Sequence, residues 1–109
     1  MRKFFTLAGI SLLIIISAVF RLYRVEGNSM IPLLEDGQFV VARSIGRAPR
    51  AGDIVVFPSP LDGRLTIKKC TAIDGSSIFV TGVNLPESTD SRHYGRIEVG
   101  SLRGIVLFY

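Results

Sequence analysis

A serine near the start of the chain has the surroundings of a nucleophile. Ser29 lies in the segment GNSMIPLLEDG, nine residues beyond the end of an uncharged apolar run. Taken alone, a serine in such a loop is an ordinary turn residue, because short polar side chains are common in turns. Met30 and Pro32 constrain this loop, and its position just outside an apolar segment would hold the hydroxyl group at a membrane surface. Ser29 is therefore a candidate nucleophile for cleaving a substrate that crosses a bilayer.

A nucleophilic serine needs a base, and the sequence offers two kinds. His93 is the only histidine, and with Asp90 as the orienting carboxylate it would complete a serine–histidine–aspartate triad. The second kind is a lysine whose pKa is lowered by burial, because the neutral amine can then accept the serine proton.

Residues 64–73, RLTIKKCTAI, supply two candidate lysines inside an otherwise apolar strand. Successive residues of a strand point to opposite faces, so only one lysine of the pair faces inward. Alternation groups Lys69 with the leucine and the isoleucines of the segment, which slightly favours Lys69 over Lys68 for burial. The competing interpretation is that both lysines are solvated charges that protect an edge strand from aggregation.

An apolar run of 17 residues, 4–20, carries no charge and is at the short end of what spans a bilayer as a helix. The apolar core of a cleaved signal peptide is shorter, about 7–15 residues, and ends in a small-x-small site. Residues 20–24 offer no such site, although Ser17 and Ala18 keep cleavage open. We expect residues 1–26 to be a retained single-pass anchor with its connector. Cations flank both ends of the run, but Arg2, Lys3 and the amino terminus slightly outweigh those on the other side. This favours a domain on the extracytoplasmic face of the cytoplasmic (inner) membrane.

The positive charge of the chain belongs mainly to this anchor. The chain has 13 Lys+Arg against 9 Asp+Glu, but from Gly27 onward 9 basic residues stand against 8 acidic ones. The excess suits lipid headgroups and leaves no basic footprint for nucleic acid. Cys70 is the only cysteine, which excludes an internal disulfide and a Cys/His metal site. We expect Cys70 to be a buried apolar residue.

Short alternating segments rich in β-branched and aromatic residues follow Gly27, separated by glycine, proline, asparagine and aspartate. Asp62-Gly63 is a hairpin signal, and no segment here repeats apolar residues at helical spacing over three turns. The sequence therefore predicts a mostly β fold: one small antiparallel β domain of 83 residues, 27–109, after one N-terminal transmembrane helix. The predicted strands are 38–44, 53–57, 64–73, 77–81 and 104–109.

Four segments, SMIPLLEDG, AGDIVVF, IKK and STDSRHYG in this order, resemble the conserved boxes of the signal peptidase I family. That family combines a serine nucleophile and a lysine base on a β-rich fold at the outer face of a membrane. The resemblance implies that Ser29 is the catalytic nucleophile. The family's I-K-R box implies that the catalytic base is Lys68 and that Lys69 is the basic residue after it. No metal ion and no cofactor is expected.

The last box implies three supporting residues. By the resemblance, Ser88 hydrogen-bonds the lysine, while Asp90 and Arg92 form a structural ion pair near the site.

Two positions depart from the family pattern. Gly82-Val83-Asn84 lacks the family's aspartate, and Gly27 stands where some members carry a serine that helps to hold the oxyanion. The oxyanion would then depend on backbone N–H groups, chiefly that of Ser29, which affects the rate of reaction more than its existence.

The expected function is that of a membrane-anchored serine endopeptidase that removes N-terminal signal peptides from exported preproteins through a Ser/Lys dyad. Its expected partners are secretory preproteins and membrane lipid, without nucleic acid; the need for a partner subunit stays open. The alternatives are a specialised pilin-processing peptidase of a conjugation system and a non-catalytic membrane scaffold protein. The self-cleaving repressor proteases share the dyad and an S-M-x-P box, but they carry a DNA-binding domain and lack the DSR-x-x-G box.

Overall fold

The computed structural model describes residues 7–44 and 46–109. One helix precedes a sheet of seven strands, and a one-turn helix and two short 3₁₀ turns lie near the end of the chain. The elements are α1 (Leu7–Val19), β1 (Phe20–Arg24), β2 (Phe39–Arg43), β3 (Ile54–Pro58), β4 (Leu65–Asp74), β5 (Ser77–Thr81), a 3₁₀ turn (Leu85–Glu87), α2 (Ser91–Tyr94), β6 (Ile97–Glu98), a 3₁₀ turn (Val99–Ser101) and β7 (Gly104–Phe108).

Helix α1 is apolar on all sides and buries none of its residues. It has 13 residues, and no helix in the described part of the chain is both long enough and apolar enough to cross a bilayer. The anchor is predicted for residues 1–26 with its connector, and its apolar run begins at residue 4, so its first residues lie outside the described ones. The transmembrane helix expected from the sequence is therefore not confirmed.

The sheet begins directly at the end of α1, in residues that the sequence analysis assigns to the connector. Strand β1 pairs antiparallel with β2, with Phe20 opposite Arg43 and Arg24 opposite Phe39. The first residue after β2 also holds the end of the helix: Ser44 donates from its N–H to the carbonyl of Val19 at 2.7 Å and from its hydroxyl to the same oxygen at 3.0 Å. Helix and sheet are thus joined by hydrogen bonds as well as by the chain.

All seven strands lie in one sheet in the order β1-β2-β7-β3-β4-β5-β6, and every neighbouring pair is antiparallel. The expected antiparallel β domain is therefore confirmed, and β2 to β5 and β7 correspond to the five predicted strands. The expected β3–β4 hairpin is also present. Gly63 lies at its turn with φ +75°, a left-handed conformation that favours glycine.

Two apolar clusters lie on opposite faces of β3, where the neighbours Ile54 and Val55 belong to different clusters. Both faces of this strand are covered, which explains why its apolar residues run without alternation. The first core contains Val55, Phe57, Cys70, Ile78, Val80, Ile97 and Ile105. The second core contains Val25, Met30, Leu34, Val40 and Ile54. Cys70 is fully buried, as expected from the sequence.

Candidate active site

The loop that carries Ser29 connects β1 to β2 and is closed at its base by an extension of their ladder. Val25 donates its N–H to Gln38 at 2.8 Å, and Gly37 donates to Val25 at 2.7 Å. The carboxylate of Asp36 then accepts from the N–H of Gly27 at 2.8 Å. These bonds satisfy the backbone on both sides of the loop and fix where it leaves the sheet.

Two apolar side chains pull the loop onto the protein. Met30 is 1% exposed and Leu34 is 0% exposed, both in the second core, and the Leu34 N–H donates to the Met30 carbonyl at 2.9 Å. Burial of these side chains stabilises the loop by about 1.5–3 kcal/mol each relative to an exposed position. Ser29, directly before Met30, is held half-buried at the surface.

A second segment docks on the other side of the nucleophile loop. The N–H of Asn84 donates to the Ser29 carbonyl at 2.8 Å, and the Asn84 side-chain amide donates to the Asn28 carbonyl at 3.0 Å. Close to these bonds, a Cβ atom placed on Gly82 would lie 2.6 Å from the Ser29 carbonyl oxygen. Glycine is therefore required for this approach, and residues 82–84 fix the backbone of the serine.

Lys68 lies on β4 opposite Val55 of β3, on the face of the first core. The residue is 5% exposed, and burial lowers the pKa of its amine; the negative charge of Asp90 opposes this shift and the positive charge of Arg92 reinforces it. A lysine with a lowered pKa is the kind of group that can serve as a base near neutral pH.

Lys69 points to the other face and is exposed. The slight preference for burial of Lys69, based on its alternation with Leu65 and Ile73, is therefore wrong. Both of those apolar residues are themselves exposed, at 51% and 45%. The informative neighbour is Cys70, which shares the face of Lys68 and is fully buried. Lys68 and Cys70 share this face by regular alternation, because the register irregularity of β4 falls after Cys70.

Ser29 and Lys68 line the same cleft, whose volume is about 490 Å³. In the described part of the chain, no hydrogen bond joins the Ser29 hydroxyl to the Lys68 amine, and the N–H of Ser29 donates to no other group. In general, a catalytic hydrogen bond can be long or poorly aligned before substrate binds, so the absence of this bond does not exclude either residue. The cleft is lined by Arg24, Val25, Glu26, Gly27, Ser29, Met30, Ser59, Leu61, Asp62, Arg64, Leu65, Thr66, Ile67, Lys68 and Thr89.

Asp90 is fully buried beside the lysine and is surrounded by hydrogen-bond donors. Arg92 binds it through both carboxylate oxygens, at 2.8 Å from Nε and 3.0 Å from Nη2. The Gly82 N–H donates to it at 3.0 Å. Burial raises the pKa of this carboxyl group, but the donors Arg92, Ser88 and Gly82 outweigh that effect and hold the pKa well below its usual range. The structure therefore contains the ion pair expected from the sequence.

Ser88 is buried next to this pair, and its hydroxyl donates to Asp90 at 2.7 Å. It also accepts from the Gly82 N–H at 3.1 Å. The expected hydrogen bond between Ser88 and Lys68 is not among those of the described residues. Because a hydroxyl oxygen has two lone pairs, one acceptor position on Ser88 remains after the bond from Gly82.

His93 is placed unfavourably for a triad. Its Nδ1 accepts from the backbone N–H of Asp90 at 3.1 Å, in the capping box of α2. In a triad that nitrogen carries a proton and donates it to the carboxylate, which is incompatible with accepting from an N–H. His93 is not part of the lining of the cleft that contains Ser29.

Some contacts around the site were not predicted from the sequence. Ser91 is buried and accepts from the Val80 N–H at 2.9 Å, which fastens α2 to β5. At the cleft, Glu26 and Arg64 form an ion pair at 3.0 Å between the loop of the nucleophile and the β3–β4 hairpin. Only the capping pattern of an aspartate three residues before a histidine hinted at α2; contacts between distant segments leave no local signal.

Comparison with known proteins places this site in a family. Over 107 residues the chain is 32% identical to mitochondrial inner membrane protease subunit 1 of Mus musculus, and 32% identical over 107 residues to the protein of that name from Homo sapiens. Each alignment covers 76% of this chain and 64% of the relative, so the chain spans less than two thirds of these relatives. A protein of the same name from Schizosaccharomyces pombe is 28% identical over 113 residues, covering 82% of this chain and 72% of the relative.

A family match covers most of the chain, from residue 1 to residue 78. The matched segment includes both Ser29 and Lys68 and ends before the box that carries Ser88, Asp90 and Arg92. The chain belongs to the family described as signal peptidase, peptidase S26.

Proposed function

We propose that this protein is a membrane-anchored serine endopeptidase that removes N-terminal signal peptides from exported preproteins, with Ser29 as nucleophile and Lys68 as base. The observation that carries the proposal is the shared cleft: Ser29 and the buried Lys68 line the same cavity. Membership of a peptidase family supports a hydrolytic role for that cleft.

The first chemical step follows from the two groups. The neutral amine of Lys68 accepts the hydroxyl proton of Ser29 as the serine oxygen attacks the scissile carbonyl carbon. The negative charge that develops on the carbonyl oxygen is stabilised by the free N–H of Ser29. Lys68 then gives its proton to the departing amine, the peptide bond breaks, and the acyl group remains on the serine.

The second step restores the enzyme. Water loses a proton to Lys68 and attacks the ester carbon, and the serine oxygen leaves and is reprotonated from the lysine. Asp90 acts through position: it holds Ser88 and Gly82, and Gly82 lies against the Ser29 carbonyl. The negative charge of Asp90 raises the pKa of Lys68, and the positive charge of Arg92, paired with Asp90, lowers it. Arg92 therefore offsets part of the effect of Asp90 on the proposed base.

An extended substrate would bind beside the first half of β4. Pairing with β3 covers Leu65–Lys69, whereas pairing with β5 begins only at Lys69. The edge of residues 65–68 on the β5 side is therefore free of a neighbouring strand and lies along the cleft. A peptide that adds a strand here would satisfy these backbone groups and pass between Lys68 and Ser29.

The membrane part of the proposal rests on α1 and the residues before it. No side chain of this apolar helix is buried by the protein, so a bilayer would provide its missing apolar surroundings. The relatives are named as proteins of the mitochondrial inner membrane, which supports a membrane location. Their name also describes a subunit, which supports a partner subunit for this chain.

The direct test is cleavage of a secretory precursor by the purified protein in detergent or lipid. Ser29→Ala and Lys68→Ala should each abolish cleavage, because each removes a group that forms or breaks a bond. Lys69→Ala is the matched control: it removes the neighbouring positive charge from an exposed position, and it should retain substantial activity.

Thermal unfolding of the same variants separates chemistry from folding. Ser29→Ala should leave the unfolding temperature near that of the wild type. If Lys69→Ala is inactive and Lys68→Ala is active, the base is assigned to the wrong lysine. If Ser29→Ala cleaves as well as the wild type, Ser29 is not the nucleophile. If the wild type itself does not cleave the precursor, the chain is better described as a non-catalytic scaffold.

A further inference from the structure

A second cavity, of about 540 Å³, lies away from the catalytic cleft and shares no lining residue with it. It is enclosed by the segment after β2, the 3₁₀ turn before β7, and β7 itself. We call it the basal pocket. Its lining includes two arginines and three large apolar residues: Arg43, Arg47, Leu102, Ile105 and Leu107.

One wall of the basal pocket is cationic. Arg47 is occupied by both oxygens of Asp53, at 2.7 and 2.8 Å, so its charge is neutralised. The guanidinium of Arg43 makes no side-chain hydrogen bond or ion pair with another residue of the described chain, although its backbone is paired in the sheet. Its side chain lies directly over Gly46, where a Cβ atom would come within 2.7 Å of the Arg43 Nε. Among the described residues that line the pocket, Arg43 therefore supplies an exposed guanidinium without a partner.

Another part of the lining is apolar and comes from β7 and the turn before it. Leu102 and Ile105 belong to the surface of the first core, and Leu107 follows on the same strand with 40% of its surface exposed. A small soluble anion would gain nothing from this wall. A ligand that matches both walls carries a negative charge at one end and an apolar chain at the other.

The basal pocket also lies at the carboxyl end of the apolar helix. Ser44, part of its lining, makes the hydrogen bonds to the last carbonyl of α1, and Arg43 is paired in register with Phe20, the first residue after the helix. If α1 lies in a bilayer, this pocket opens at the level of the lipid headgroups.

We propose that the basal pocket binds an anionic phospholipid, with its phosphate on Arg43 and the start of an acyl chain along Leu102, Ile105 and Leu107. Charge and apolar area each match one part of such a lipid. The inference uses the membrane location proposed above and is independent of the peptidase reaction.

The test is a lipid titration of the full chain in a mild non-ionic detergent, followed by native mass spectrometry and by the shift in unfolding temperature. Phosphatidylglycerol should bind and raise the unfolding temperature, and phosphatidylcholine should bind more weakly. Arg43→Gln should weaken phosphatidylglycerol binding about tenfold or more, because the charge-assisted hydrogen bond to the phosphate is lost. Arg103→Gln, a change at an exposed arginine outside the pocket, should bind like the wild type.

A second variant tests whether the ligand occupies the space of the pocket, without changing a charge. Ala48 lines the pocket at an exposed position, so Ala48→Trp should fill the space and weaken binding while circular dichroism remains native. Inorganic phosphate that competes as well as the lipid would overturn the proposal in favour of a headgroup-only site. Equal binding by Arg43→Gln would overturn it in favour of bulk lipid contact. Flotation with vesicles and precursor cleavage, measured in parallel, show separately whether the anchor or the peptidase proposal has failed.

Discussion

The N–H of Asn84 and the carbonyl of Ser29 are joined by a hydrogen bond of 2.8 Å, which couples the proposed nucleophile to a segment far along the chain. Two residues before Asn84, Gly82 donates to the buried carboxylate of Asp90 at 3.0 Å. A continuous set of bonds therefore runs from the serine backbone to the Asp90–Arg92 ion pair. Such a connected arrangement makes the serine position depend on residues that never touch the substrate.

Gly82→Ala should disturb this connection strongly. The added methyl group would lie 2.6 Å from the Ser29 carbonyl oxygen and 2.5 Å from the Ser88 Cβ, so backbone must move to admit it. We expect a loss of about 1–3 kcal/mol in the free energy of unfolding, as for other overpacked sites. The loss of kcat should exceed what the unfolded fraction explains. Urea unfolding and precursor cleavage measure the two effects.

Gly100→Ala is the matched control, because a Cβ at that position meets nothing within 4 Å. It should change stability by less than about 0.5 kcal/mol, as surface substitutions usually do. A Gly82→Ala protein with wild-type stability and kcat would show that the Ser29 loop is not held by this contact.

Much of the sheet could be predicted from the sequence because its strands are short, apolar and bounded by turn residues. Strand β1 could not, because Phe20 continues the apolar run and the arginines beside it read equally well as headgroup contacts. Only pairing with β2 shows that these residues form a strand. The two-residue strand β6 gives no periodic signal and exists through its pairing with β5.

Residue type and family resemblance were enough to predict the candidate chemical groups. The burial of each group could not be predicted, because it depends on the fold. Ser29 and Lys68 stand out by type and by family resemblance. The face of β4 that is buried depends on what covers each side: Lys68 faces a core with Cys70, and the apolar Leu65 at the hairpin remains exposed. Alternation alone favours burial of the strand face with more apolar residues, and on that basis it favours Lys69.

The pH dependence of cleavage should follow the protonation of Lys68. Burial lowers the pKa of this amine, so the neutral and reactive form becomes available below the ordinary lysine pKa of about 10.4. The single-turnover rate should rise with pH through the lowered pKa and then level off. Rates measured across the pH range with the wild type and with His93→Ala test this.

His93→Ala should keep the same rising limb, because His93 caps α2 and is not in the cleft lining. A limb centred near 6.5, the ordinary histidine pKa, that disappears in His93→Ala would restore the triad.

Because of Asp90, the free energy of unfolding should decrease at acidic pH. Its donors hold the pKa below the unfolded value, which is about 3.9. The contribution is therefore complete above about pH 4 and is lost as pH falls below it toward the folded pKa. We expect Asp90→Asn to cost about 1–3 kcal/mol at neutral pH, since donors to a buried carboxylate lose their partner. The difference from the wild type should shrink as urea unfolding is repeated at lower pH.

Glu87→Gln is the control for the Asp90 experiment, because Glu87 is exposed and its side chain bonds to no other described residue. It should leave the free energy of unfolding within about 0.5 kcal/mol of the wild type at each pH. A difference between Asp90→Asn and the wild type that stays constant down to low pH would contradict the ionised, donor-surrounded carboxylate.

Substrate choice should reflect the free edge of β4 and the short distance to α1. Alternate side chains of a peptide added along residues 65–68 point into the protein, and a cleft of about 490 Å³ shared by many residues leaves shallow subsites for the first and third residues before the cut. Strand β1 has five residues and separates the end of α1 from the cleft by roughly 16 Å. We therefore expect cleavage after small-x-small sequences just outside a hydrophobic segment.

Two precursor series, assayed in lipid vesicles, test this expectation. Replacing the residue before the cut by phenylalanine should abolish processing by overlap with the subsite, whereas serine in its place should be accepted. Moving an unchanged site outward by about ten residues, roughly 33 Å when extended, should also abolish processing, because the bond then lies beyond the reach of a cleft one strand away from the membrane helix. Efficient cutting of soluble peptides that carry large residues at both positions would show that neither the shallow subsites nor the anchor governs selection.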